Sequence, residues 1–366
     1  MKSSVKIGFI LVLVFALTAV LMLGCAVDEE PADVDPVEEP ADVDLEGMEP
    51  IELSVAHMWP AVHPKEEVLV QGWIEAVEEA TDGLVTGVSY PGATLTEAGQ
   101  EYEAAASGIA DIGFGVFGYD RGRFPLLEVF ELPGIIYNDA EVASYVFRDA
   151  IEQFQPEEIM DTKMLLAYCT GPGHLFTKEP VETLEDLQGM EIRGFGRTVD
   201  TLDVLGAVPT AMPQADAYEA IDRGVVSGNL APLEVLEGWN QAEVTDYITM
   251  TPFLYNATFF FTMNLDVWND IPSELQDIIE EVNEEFFAET ASRLFLDMNE
   301  SALNFAVEET GQEIIELSDE ELERWLEAVT PLLEEWVSDM EAEGLPAREI
   351  YELTLELADK YNEEFR

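Results

Sequence analysis

The sequence predicts an α/β protein of two similar lobes, and three observations carry that prediction. From residue 50 onward, apolar positions switch repeatedly between the alternation of a strand and the spacing of a helix. The segment Tyr102-Glu-Ala-Ala-Ala-Ser-Gly108-Ile109 returns as Tyr218-Glu-Ala-Ile-Asp-Arg-Gly224-Val225, 218 − 102 = 116 residues later. That separation is too long for a solenoid repeat and suits one α/β unit in each of two lobes. Pro272 to about Gly311 is helical in pattern with hardly a break, carrying Leu275, Ile278, Ile279, Val282, Phe286 and Phe287. About 40 residues would span about 60 Å, longer than one lobe, so this helix either kinks or runs across both.

The elements follow in order. Ile51 to Ala56 is a short strand. Pro64 to Thr81 sets Leu69, Trp73, Ala76, Val77 and Ala80 at helical spacing, and Asp82-Gly83 stops the helix. Leu84 to Tyr90 alternates again before the turn at Pro91-Gly92, which completes a βαβ unit. In each copy of the repeat a short helix closes at glycine and a strand is expected at once, Ile109 to Phe114 and Val225 to Gly228. The apolar run Met164 to Tyr168 predicts a strand, with Cys169 a buried residue of it rather than a nucleophile. Glu320 to Glu343 and Ala347 to Glu364 read as closing helices with apolar faces and dense exposed carboxylates.

The first 24 residues read as an export signal: Lys2 and Lys6, then an apolar run from Ile7 to Leu23, then Gly24-Cys25. L-M-L-G-C resembles a bacterial lipobox, with cleavage before Cys25 and lipid on its sulfur. The alternative is an uncleaved transmembrane anchor, since the run is near spanning length. Both place the remaining chain outside the cytoplasm. Residues 25–49 are expected to be a disordered acidic tether: residues 26 to 49 hold 11 Asp+Glu among 24, with PADVD twice and no aromatic residue. With Cys25 lipidated, Cys169 has no partner, which leaves no disulfide and no cysteine metal site.

Charge removes further classes. Sixteen Lys+Arg against 77 Asp+Glu give 16 − 77 = −61, so the basic footprint of a nucleic-acid binder is absent. Only one stretch could span a bilayer, which excludes a polytopic membrane protein, and 48% hydrophobic residues exclude disorder of the whole chain. Six Lys and ten Arg in such an acidic chain fit a salt-adapted organism, because salt screens the self-repulsion. A merely acidic protein is the plainer alternative.

Signals for catalysis are missing. Gly113-Phe-Gly115-Val-Phe-Gly118 is a literal G-x-G-x-x-G, but Tyr119-Asp-Arg-Gly-Arg-Phe-Pro125 follows and breaks the helix a dinucleotide requires. It reads instead as a glycine-rich strand end where backbone can approach a ligand closely. Neither G-x-S-x-G nor H-E-x-x-H occurs, and His57, His63 and His174 lack ligand spacing. No catalytic residue, metal or cofactor is therefore assigned. Arg193, in Met190-Glu-Ile-Arg-Gly-Phe-Gly-Arg197, is a rare cation whose planar fork suits a carboxylate. Taken alone, it reads equally as a surface salt bridge or a ligand contact.

The stretch Thr183 to Thr249 carries a resemblance. Its Leu187-x-Gly189-x-x-x-Arg193 strand, Leu205-Gly-Ala-x-Pro209, Tyr218-x-Ala220 helix and Gly224-Val-Val-Ser-Gly228 turn closely resemble solute-binding proteins of tripartite ATP-independent periplasmic (TRAP) transporters, of the C4-dicarboxylate-binding type. Gly108-Ile-Ala-Asp-Ile-Gly113, Phe124-Pro125, Phe130-Glu-Leu-Pro133 and Met263-Asn264 extend the likeness over nearly all of 50–366. The resemblance implies a two-lobed, periplasmic-binding-protein-like clamp that closes on an organic anion, with a long helix spanning both lobes. Lobe I is expected to hold 50–170 plus about 258–296, and lobe II 171–257 plus about 297–366. Arg193 occupies the position of the arginine that pairs the substrate carboxylate. Further ligand contacts are implied at His57, Trp59, Phe114, Gly115, Tyr119, the stretch Gly171 to His174, Gln214, Asn229 and Ala231.

Three positions depart from the family pattern. A second arginine, common just before the histidine at 174, is Gly173; the turn aspartate is Ser227; an asparagine near the strand end is Ala231. With Trp59, Phe114 and Trp239 nearby, these losses point to a monocarboxylate or sulfonate with an apolar or aromatic body, rather than a dicarboxylate or sialic acid. The expected protein is thus a lipid-anchored, monomeric, extracytoplasmic receptor, in the periplasm or on the outer face of the cytoplasmic membrane. It hands a small organic anion to TRAP permease subunits and is not an enzyme. The alternative is a sensor that presents the same clamp to a signalling partner. An isomerase or hydrolase on this fold would need a titratable pair in the cleft, and the sequence offers none.

Overall fold

The computed structural model describes residues 47–366, so the expected signal segment, Cys25 and the tether through residue 46 lie outside them. Among the described residues, ten strands join in one sheet: β1 Ile51–His57, β2 Val85–Tyr90, β3 Ile112–Val116, β4 Thr162–Thr177, β5 Glu191–Gly194, β6 Val208–Ala211, β7 Gly228–Pro232, β8 Tyr247–Met250, β9 Asn256–Asn264 and β10 Glu313–Glu316. Their order is β2-β1-β3-β9-β4-β7-β5-β6, with β8 also on β4 and β10 beside it.

The seam of the molecule is β4. Its first part pairs antiparallel with β9 in one half of the sheet, and Gly173 to Thr177 pair with β7 in the other. Its register on β9 shifts between Met164 and Leu166 and between Cys169 and Pro172. Such irregularities bend a strand, and here they fall before the point where β4 passes from β9 to β7. Cys169 lies in this seam, buried, its N–H donating to Ser144 Oγ at 3.0 Å. Burial pushes its thiol well above the ordinary value, as befits an inert strand residue.

Among the described residues, twelve α-helices cover the two halves: α1 Gln71–Ala80, α2 Glu101–Ala106, α3 Ala140–Phe154, α4 Leu184–Leu187, α5 Thr198–Val204, α6 Gln214–Asp222, α7 Val235–Gly238, α8 Leu265–Asp270, α9 Ser273–Phe286, α10 Leu294–Asn304, α11 Asp319–Ala342 and α12 Ala347–Glu364. A π-helical turn, Lys65–Val70, leads into α1. β1 and β2 are parallel across it, giving the expected βαβ unit. Polar caps mark several starts. Asp139 accepts from Val142 N–H ahead of α3, and Thr183 with Asp186 forms a capping box on α4.

The internal repeat is a repeat of structure. Gly108 and Gly224 both adopt left-handed backbone, φ +74° and +72°, ending α2 and α6. Gly108 N–H donates to Ala105 O and Ile109 N–H to Ala104 O; Gly224 N–H donates to Ile221 O and Val225 N–H to Ala220 O. This is one Schellman turn built twice. It also corrects the strand starts. Ile109 and Val225 belong to the caps, 63% and 54% exposed, and the strands begin at Ile112 and Gly228.

The long helical stretch kinks. α9 runs into a π-helical turn, Phe287–Ala291, breaks at Ser292 and Arg293, resumes as α10 and ends in a second π-helical turn, Phe305–Glu309. π-turns are a recognised cause of such kinks. The break sends α9 against α1 on the first half and α10 against α7 on the second. α12 returns to the first half and packs on α3, where Val146, Phe147, Ile350, Leu357 and Tyr361 share one apolar cluster. Among the described residues, no helix is long and apolar enough to cross a membrane.

Candidate functional site

A small cavity of about 30 Å³ lies between the two sheet halves. Trp59, Lys65 and Tyr119 reach it from the first half, Arg193, Phe195, Gln214 and Glu234 from the second, and Tyr255 and Phe259 from around β9.

Arg193 is the central cation. It projects from β5, is 1% exposed, and stacks on Phe195 at 5.0 Å. Its Nε donates to Met212 O (2.9 Å), Nη1 to Asn229 Oδ1 (3.2 Å) and Nη2 to Tyr119 Oη (3.4 Å). All three acceptors are neutral, and no carboxylate among the described residues pairs with it. A guanidinium has five N–H groups, so one remains on each terminal nitrogen, the two-point edge that receives a carboxylate.

The neighbours add donors. Asn229 Nδ2 donates to Gln214 Oε1 (3.3 Å) and Gln241 Oε1 (2.7 Å). That fixes the Gln214 amide and leaves its buried Nε2 without a partner. Tyr119 Oη also accepts from the Gln214 backbone N–H at 2.9 Å, so its own hydroxyl proton is free for a ligand. Burial raises its ionisation above the ordinary tyrosine value, which keeps that proton in place. Trp59 Nε1, fully buried, has no partner either. A wall of unfilled donors around a buried cation is complementary to an anion.

The remaining residues singled out in the sequence fall into two groups. His57, Phe114 and Asn229 stand behind the wall and support it. His57 Nδ1 accepts the Trp59 N–H at 3.2 Å, and its Nε2 meets Glu66 Oε2 at 2.7 Å and Ser89 Oγ at 2.9 Å. Serine and glutamate meet the same ring nitrogen, so this cluster is no nucleophilic triad. Phe114 stacks on Trp59 with centroids 4.1 Å apart. Gly115, Gly171, His174 and Ala231 do not line the cavity. A Cβ on Gly115 would lie 2.5 Å from Phe260, and one on Gly171 would lie 2.7 Å from Asn299. His174 pairs with Ala231 across β4 and β7, and its Nδ1 accepts from Thr251 N–H. Burial lowers its pKa to about 4.

Gly173 explains the absent second arginine. A Cβ there would sit 1.9 Å from Tyr255 Cε1, so the tyrosine ring fills the space a larger residue would need. Tyr255 meets Phe195 edge-on at 5.7 Å and donates to Leu230 O at 3.3 Å. An aromatic surface replaces a cationic one.

Sequence reasoning missed Lys65 and Glu234. Lys65 is buried and its Nζ bonds Glu234 Oε1 at 3.1 Å. It lies over three rings, Phe259 at 4.4 Å, Phe295 at 4.8 Å and Trp59 at 5.1 Å. Burial pulls its ammonium below the ordinary lysine value, while Glu234 pushes back. His63, 3.9 Å from Glu234, is held near pKa 2, mainly by burial and then by Lys65, and so stays neutral. The halves also meet at the rim, where Arg197 pairs with Glu128 and Arg121 with Asp200. Among the described residues, no His, Cys, Asp and Glu cluster could hold a metal ion.

Two α/β lobes joined at a shared strand, with a buried anion-complementary cavity between them, have the architecture of a solute-binding receptor. Comparison with known proteins agrees: residues 55–339 match the bacterial extracellular solute-binding protein family 7 (DctP), and the chain belongs to that family. The C4-dicarboxylate-binding periplasmic protein DctP of Rhodobacter capsulatus is 25% identical over 319 residues, 82% of this chain and 90% of that protein. A marine-metagenome TRAP solute-binding protein specific for aromatic acids, in complex with metahydroxyphenylacetate, superposes with TM-score 0.81 at 28% identity, covering 85% of this chain and 99% of its own. A TRAP solute-binding protein from Rhodoferax ferrireducens with copurified benzoate superposes with TM-score 0.80 at 26% identity, covering 86% and 100%. The protein is therefore a non-enzymatic TRAP receptor for organic acids, of a family that works with a membrane permease.

Proposed function

We propose that this receptor captures a monoanionic organic acid, a carboxylate or sulfonate with an apolar or aromatic body, and delivers it to its permease. The observation that carries the reading is Arg193, a buried guanidinium whose partners are all neutral. Burying an unpaired charge is costly, and an anionic ligand supplies the missing partner. Tyr255 in the space beside Gly173 and the rings of Trp59, Phe195 and Phe259 favour an aromatic body. The similar structures that hold metahydroxyphenylacetate and benzoate support the same class.

Arg193, Gln214, Tyr119 and Trp59 are the proposed ligand contacts, with His57, Phe114 and Asn229 positioning them. The proposed lobes meet along β4, with 50–170 and about 258–296 in one and 171–257 and about 297–366 in the other, corrected at its end because α12 packs on α3 of the first. Lipid anchoring through Cys25, a monomeric state and adaptation to salt remain part of the proposal. Mass spectrometry of ligand released from freshly purified protein, followed by calorimetry with benzoate, benzenesulfonate and succinate, tests the ligand class. A preference for succinate would refute it. Ligand-dependent uptake in vesicles carrying the permease separates delivery from sensing.

A further inference from the structure

Beside Arg193 the cavity holds a second cation that no anion can use as it stands. Lys65 and Glu234 are 2% and 2% exposed, which makes theirs the most deeply buried lysine–carboxylate or arginine–carboxylate pair among the described residues. The two lie 169 residues apart, one from each sheet half, and both face the cavity. A buried ion pair is often no more stabilising than apolar residues of the same volume, so stability alone gives little reason for it. Its effect on the cavity is electrical. The ammonium and carboxylate cancel, and Arg193 is left as the single uncompensated charge.

Glu234 is also held for this task. Its backbone N–H donates to Asn299 Oδ1 at 3.1 Å, and Asn299 reaches that place because Gly171 has no side chain to obstruct it. The rings of Trp59, Phe259 and Phe295 lie against the ammonium and offset part of the cost of burying it.

We propose that Glu234 sets the charge of the ligand: by pairing with Lys65 it masks a second anion subsite, so the cavity accepts monoanions, and removing its carboxylate opens the cavity to dianions. This rests on the reading of the receptor as an organic-acid binder and deepens it. In the altered protein, the ligand's second carboxylate takes the place of the Glu234 carboxylate opposite the ammonium.

The test is calorimetric titration of the whole exported protein, stripped of bound ligand, with benzoate, isophthalate and terephthalate. Wild type should bind benzoate and take either dicarboxylate at least about tenfold more weakly. Glu234→Ala removes the mask and vacates its space, and should shift the preference toward a dicarboxylate by about tenfold or more. Adding Lys65→Met should abolish that gain, since the subsite itself is then lost. Glu234→Gln, nearly isosteric, serves as second variant should the alanine protein fold poorly, and should shift preference in the same direction. Unchanged preference in both Glu234 variants, or a gain that survives loss of Lys65, overturns the proposal alone. Wild type that binds none of the three acids overturns the aromatic-carboxylate reading and this inference with it.

Discussion

Replacing Arg193 with methionine separates ligand binding from folding more cleanly than truncation does. Methionine fills much of the same volume without charge. The arginine makes three hydrogen bonds, at 2.9, 3.2 and 3.4 Å, each to a neutral acceptor. Each is worth about 1 kcal/mol net, whereas an unpaired buried ion costs several kcal/mol even after relaxation. The two roughly offset, so the ligand-free melting temperature of Arg193→Met should stay near wild type or rise. Affinity should behave otherwise. Losing one partner of a buried, hydrogen-bonded ion pair costs about 2–5 kcal/mol, or roughly 30-fold to several thousandfold in Kd. Arg193→Lys should also bind poorly, because an ammonium keeps the charge without the two-point fork. Arg223, 70% exposed on its side chain and paired with Glu219 on the same helix, is the control, and Arg223→Ala should bind normally. Calorimetry with benzoate and scanning calorimetry without it give both readouts. An Arg193→Met protein within about threefold of wild-type affinity would refute the carboxylate clamp.

Three further outcomes are expected. With a net charge of −61, the unfolding midpoint should climb substantially from low salt to about 1 M NaCl, where the Debye length is about 3 Å; a flat midpoint removes the claim of salt adaptation. Gly173→Ala drives a methyl into the Tyr255 ring and should cost about 1–3 kcal/mol of stability, read as a lower urea midpoint, along with ligand affinity. Glu131 is fully buried, and burial raises its pKa from 4.5 to about 7. A raised carboxyl favours folding below its unfolded value and loses that contribution as pH rises through the folded value. Glu131→Gln should therefore lose less stability than wild type between pH 4.5 and 7, as measured by urea midpoints across that range.

How much of this was legible in the sequence depended on how local each feature is. The first βαβ unit was readable because alternation, helical spacing and the Asp82-Gly83 stop all lie within 40 consecutive residues. The repeat was readable too, but its strands were set three residues early: one Schellman turn claims both the glycine and the apolar residue after it. The glycines from Gly113 to Gly118 announced close approach without naming the neighbour. Their neighbours are the protein's own Glu101 carbonyl, Phe260 ring and Glu131 carboxylate, at 2.1, 2.5 and 2.2 Å from where a Cβ would stand. Arg193 emerged from a family motif. Lys65 did not, because Lys-Glu-Glu at the start of a helix reads as a solvated face, and its partner lies in the other half of the chain. Tyr255 gave no local signal either. Gly173 did, as a departure from pattern, and the structure supplies the ring that demands it.

The acidity of the chain and the site's composition can be understood together. Arg121, Arg123, Arg148, Arg197, Arg223, Arg293, Arg324 and Arg348 each pair with at least one carboxylate. With 77 acidic residues, an exposed arginine is readily captured by a neighbour. One that must stay available to a ligand has to sit where carboxylates are kept away. β5 provides that place: Arg193 is surrounded by a backbone carbonyl, an amide oxygen and a phenol, all acceptors too weak to neutralise it. Glu234 also lines the cavity and could compete for the guanidinium, but Lys65 holds it. Burial then protects the site a second time. Salt screens the repulsion between the acidic surface and an approaching anion, yet inside a closed cavity screening is slight, and the single unpaired cation acts at nearly full strength.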